Sequence, residues 1–109
     1  MSTVLAPSDA LREVRVAVEG DLDLHTAGSV SESLVRACAQ APALVVLDLT
    51  AVEFMDCSVL TPVLAARRLA RSRGGDLVVR GASPRCRRVL VLTGLAELLD
   101  DGARGVETV

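Results

Sequence analysis

A chain of 109 residues with a net charge of −2 is sized for one domain and can bury a core without a metal or disulfide staple. Half of its residues are hydrophobic, yet Phe54 is the only aromatic one. There is therefore no basic field to draw nucleic acid and no platform on which bases could stack.

The apolar runs, such as Ala43 to Leu47, are too short to span a bilayer. The N-terminus lacks the charged start and apolar core of a signal peptide. Three cysteines, Cys38, Cys57 and Cys86, include no Cys-x-x-Cys pair. They suit a reducing compartment, and with one histidine they do not compose a structural zinc site. The expectation is a soluble cytoplasmic protein with no cofactor, no bound metal, no membrane contact and no nucleic-acid partner.

In chain order, residues 3–6 read as a short partner strand before Pro7. Residues 14–18 place Val14, Val16 and Val18 on one face and Arg15 on the other, the period of a half-buried strand. The run 19–23, EGDLD, breaks that pattern. Thr26 is placed to cap a helix over 27–40 whose buried stripe is Ala27, Val30, Leu34 and Cys38. Residues 43–49, ALVVLDL, predict a strand covered on both faces.

A second helix is predicted to start near Ser58, with Leu60, Val63 and Leu64 inward and Arg67, Arg68 and Arg71 at its C-terminal end. Gly74-Gly75 stops it. Residues 76–81 read as a strand, and Ser83-Pro84 opens a helix to about Thr93. Residues 95–99 fit strand or helix equally, and 100–109 are expected to fray. Strands alternating with helices predict one α/β domain over 1–109.

The triplet Asp56-Cys57-Ser58 sets an acid, a thiol and a hydroxyl where a buried strand hands over to a helix. Asp56 and Ser58 are helix-capping residue types. A serine at that place also tolerates phosphate, because the positive end of the helix accepts the added charge. Asp23 has the same double reading, as a local cap or as a partner-facing acid. Asp48 is expected to satisfy buried or end-of-strand donors rather than to do chemistry. A hydrolase with Cys57 or Ser58 as nucleophile and His25 as base lacks a Gly-x-Ser-x-Gly motif and a placed oxyanion hole. The arginines at 67–73 and 85–88 read as solvated helix charge, and the glycine pair is not a phosphate-binding loop.

Four stretches, "GDLDLHTA" at 20–27, "LVVLDLTAVEFMDCSVL" at 44–60, and the Gly-Gly-x-Leu strand and Ser-Pro helix within "GGDLVVRGASPRCRRVLVLTGL" at 74–95, resemble the STAS domains, specifically the bacterial anti-sigma factor antagonists. The resemblance implies an α/β fold with a mixed sheet of four to five strands covered by three to four helices. It implies a non-enzymatic protein that binds an anti-sigma factor with a serine-kinase fold. It places phosphorylation at Ser58, reset by a phosphatase. The partner-facing residues it implies are Asp23, Leu24, His25, Thr26, Asp56, Cys57, Ser58, Val59, Leu60 and Thr61.

Two positions depart from the family pattern. Cys57 stands where the family has a serine, and Val59 where it has a glycine. Val59 is expected to narrow a kinase's approach to Ser58. On this resemblance the chain is also expected to stop short of the family's final helix. A STAS-like binding module that is never phosphorylated stands as the alternative.

Overall fold

The computed structural model describes residues 12–40 and 43–100. Three strands alternate with three helices: β1 (Arg12–Leu22), α1 (Ala27–Cys38), β2 (Ala43–Met55), α2 (Leu60–Ser72), β3 (Asp76–Arg80) and α3 (Pro84–Leu92). Short 3-10 turns cover Cys57–Val59 and Ala96–Leu98. The sheet order is β1-β2-β3, and both pairings are parallel.

This corrects the expectation of a mixed sheet of four to five strands: the described residues hold three, all parallel. The strand expected at 3–6 and the fraying tail at 101–109 lie outside the described residues. The segment 95–99 divides between the second 3-10 turn and a single parallel bridge from Leu99 to Val79.

β1 and β2 both run further than their sequence patterns. The register shifts between Ala17 and Glu19 and again between Gly20 and Asp21. These bulges let pairing continue through the stretch that reads as a pattern break. At Gly20 the φ of 82° is one that glycine adopts without steric cost. β2 then stays paired to Met55, opposite Leu22.

Alternation explains the packing. Val14, Val16 and Val18 of β1 join Val45, Leu47 and Leu49 of β2 and Leu77 and Val79 of β3 in one apolar cluster. α1 contributes Val30, Leu34, Ala37 and Cys38, α2 contributes Val63, Ala66 and Ala70, and α3 contributes Cys86 and Leu90. Residues of opposite parity carry charge. Arg15 pairs with Asp48, its Nε donating at 2.8 Å. Arg80 bridges Glu13 at 3.1 Å and Asp100 at 3.2 Å.

Asp48 is buried and does satisfy local donors: its Oδ1 accepts from the Thr50 N–H at 2.9 Å and the Thr50 hydroxyl at 2.6 Å. Those bonds, with Arg15, lower its pKa to about 2.

Arg67 differs from its expected role as a helix-end cation. It is buried and reaches Glu97 at 2.6 Å and Asp76 at 3.3 Å. Burial opposes its charge, but these two carboxylates outweigh that effect and raise its pKa.

Two glycines predict opposite outcomes. A Cβ at Gly75 would sit 2.0 Å from the Ala43 carbonyl oxygen, so Gly75→Ala should cost about 2 kcal/mol or more in urea denaturation. A Cβ at Gly28, inside α1, meets nothing within 4 Å. Gly28→Ala should therefore stabilise by about 0.5–1 kcal/mol.

Acid makes a third test. The folded pKa of Asp48 is depressed to about 2, so its stabilisation is present above the unfolded value near 4 and lost as pH falls toward about 2. The urea midpoint should drop across that window, and Asp48→Asn should flatten the drop.

Candidate functional site

Parallel pairing brings the C-terminal ends of β1 and β2 to the same edge, because Leu22 lies opposite Met55. Both chains turn there. The Asp56 N–H donates to the Leu22 carbonyl at 3.0 Å and ties the two exits together.

After β1, Asp23 accepts from the backbone N–H of His25 at 2.9 Å and of Thr26 at 3.3 Å. The Thr26 hydroxyl accepts from the Asp23 N–H at 2.9 Å and donates to the Asp21 carbonyl at 3.1 Å. Thr26 occupies the position before α1, yet its side chain makes no capping bond to that helix. Its hydroxyl folds back to close the turn instead, so the expected capping role passes to the Asp23–Thr26 turn as a unit.

After β2, Asp56 is extended and its Oδ1 accepts from both the Ser58 N–H at 2.8 Å and the Ser58 hydroxyl at 2.5 Å. The Ser58 hydroxyl, and then its N–H, lower the pKa of the Asp56 carboxyl. Asp56 is therefore an anion at neutral pH and fixes the hydroxyl rotamer. The 3-10 turn Cys57–Val59 runs straight into α2, which keeps the triplet at the positive end of that helix.

The expected site residues divide by exposure. Leu24, His25, Cys57 and Thr61 are exposed, while Asp23, Thr26, Asp56 and Ser58 are half-buried. Val59 is 0 % exposed and Leu60 is 8 % exposed. Both side chains belong to the core cluster, which corrects their expected partner-facing role. It also removes the expected obstruction by Val59, whose branched side chain points into the protein and narrows no approach to Ser58. The Ser58 hydroxyl is directed to Asp56, and His25 enters the described hydrogen bonds through its backbone N–H to Asp23.

Sequence reasoning missed one feature of this edge. Phe54 is 40 % exposed and lies opposite Asp21 in the strand pairing. Its signal was present: the chain's one aromatic, two positions before the Asp56-Cys57-Ser58 triplet.

The STAS domain family model matches residues 9–108. An anti-sigma-B factor antagonist from Listeria monocytogenes is 31% identical over 87 residues, spanning 80% of this chain and 76% of that protein. An anti-sigma factor antagonist from Mycobacterium paratuberculosis, known from its crystal structure, superposes with a TM-score of 0.70 at 28% identity, over 90% of this chain and 81% of that one. The unphosphorylated form of the anti-sigma factor antagonist SpoIIAA gives a TM-score of 0.72 at 22% identity over 90% of each chain, a likeness of fold. With its α/β layers, its tied strand ends and these matches, the chain belongs to the STAS domain family, among relatives that are anti-sigma factor antagonists.

Proposed function

We propose that this protein is an anti-sigma factor antagonist that acts by docking. Its two tied turns, Asp23–Thr26 and Asp56–Ser58, present one rigid edge to an anti-sigma factor, and occupation of that factor excludes its sigma factor. The observation that carries the reading is the hydrogen-bonded pair of turns at the shared ends of β1 and β2. It is supported by the anti-sigma factor antagonists among the relatives. The chain supplies binding, not catalysis.

The finer proposal is that Ser58 is the switch. A kinase-fold anti-sigma factor would move the γ-phosphoryl of ATP to Ser58 Oγ, releasing ADP and the hydroxyl proton. Ser58 is the hydroxyl of the triplet, and Asp56 already orients it. Phosphate would replace the hydrogen that Asp56 accepts. An attraction at 2.5 Å then becomes repulsion between a carboxylate and a group carrying about −1.5 to −2 charges. The positive end of α2 tolerates that charge, so the change is felt at the docking edge while the fold persists. A phosphatase would restore the docking form.

A second reading has its own observation. Cys57, not Ser58, is the exposed side chain of the triplet, and the Ser58 hydroxyl is committed to Asp56. On that reading the edge docks without ever being phosphorylated.

Co-purification from the native cell, read by mass spectrometry, should recover an anti-sigma factor. Incubating that factor with labelled ATP should then label the wild type and Cys57→Ala but not Ser58→Ala. Labelled protein should release the factor. Tight binding with no label on any variant would establish the unphosphorylated module. Wild type that binds no anti-sigma factor would overturn both readings.

A further inference from the structure

The docking edge has a definite chemistry. Residues 19–26 and 53–61 contain five acids, Glu19, Asp21, Asp23, Glu53 and Asp56, and no arginine. All twelve of the chain's arginines lie elsewhere. Strand pairing makes the two segments one surface, because Glu19 lies opposite Ala51 and Asp21 opposite Phe54. Glu19, Asp21 and Glu53 are exposed.

Two large apolar side chains stand within this acidic strip: Leu24 at 75 % exposure and Phe54 at 40 %. Strand alternation turns Phe54 outward beside the buried Met55, a position that does not require an aromatic. Leu22 and Met55 are buried at 2 % and 3 %, so this stretch reaches the core through those residues and not through Leu24 or Phe54. With Asp21 across the strand pair and Glu53 beside it in sequence, Phe54 is an aromatic anchor with a polar rim, the arrangement found at protein interfaces.

The α3 surface has the opposite sign. Val91 and Leu92 are exposed there, beside Arg85 and Arg88 and with no acid in the helix. The two apolar patches therefore differ in the sign of the charge around them.

Resting on the docking reading above, we infer that Phe54 and Leu24 anchor the contact with the anti-sigma factor, and that the factor's complementary surface is an apolar pocket rimmed by lysine or arginine. The acids steer that basic rim into place, and the two apolar side chains fill the pocket. Ser58 lies within the same edge, so phosphate there adds charge to a strip already facing basic groups. Its effect on binding comes from lost geometry at the Asp56–Ser58 turn rather than from the sign of charge alone.

The test uses the full chain and the anti-sigma factor recovered by co-purification, with affinity measured by calorimetry. Phe54→Ala should weaken binding at least about tenfold, and Leu24→Ala should weaken it several-fold. Leu92→Ala, on the basic patch, should leave affinity within about twofold. Raising salt from about 0.05 to about 0.5 M should weaken the wild-type complex. Circular dichroism with unchanged melting verifies that each variant is folded. Because Leu24 lies in an exposed turn, its variant keeps the test open if Phe54→Ala unfolds.

Wild-type binding that neither Phe54→Ala nor Leu24→Ala alters would overturn this inference and leave the docking reading standing. So would loss of binding by Leu92→Ala alone, or a complex strengthened by salt. Absence of wild-type binding would overturn the docking reading and this inference with it.

Discussion

The parallel pairing of β1 with β2 is the constraint from which the rest follows. It carries both strands to the same edge, with Leu22 opposite Met55. Parallel strands need a long crossover, and α1 supplies it. Two segments separated by some thirty positions in sequence thereby become one surface. The bond from the Asp56 N–H to the Leu22 carbonyl extends that pairing by one further link, just where the chains diverge. Without the pairing the Asp23 turn and the Asp56 turn would be independent loops.

Beyond that link each turn is closed by its own side chains. Asp23 and Thr26 exchange bonds across three residues, and Asp56 takes two bonds from Ser58. Val59 and Leu60 then sink into the core and fix the start of α2. The edge is therefore pre-organised: its exposed groups sit on backbone already ordered by burial immediately behind them. Pre-organisation lowers the ordering cost that a flexible loop would incur on binding. It also makes the edge sensitive to a small chemical change, since both Ser58 bonds converge on one Asp56 oxygen.

Much of the architecture was legible from periodicity. The alternation at Val14, Val16 and Val18, the stripe of α1 and the Ser83-Pro84 start of α3 all appear where their patterns place them. What escaped was set by contacts between distant segments. The bulges that carry β1 through EGDLD depend on having β2 alongside. The burial of Arg67 depends on Glu97, thirty positions away. The inward turn of Val59 depends on the 3-10 turn preceding α2, and a residue's neighbours in sequence do not report which way such a turn faces. At the site, Asp23, Asp56 and Ser58 were visible as polar groups at element boundaries. Phe54 was not, because the strand that carries it looked finished at Leu49.

The central claim is that these two tied turns form a single surface read by another protein. The most direct measurement is a chemical-shift titration of the 15N-labelled chain with its anti-sigma factor. The account predicts that the largest perturbations fall together on residues 21–26 and 54–58, with matching concentration dependence. Perturbations confined to α3 or to the Arg15–Asp48 side of the sheet, with both turns unmoved, would contradict it.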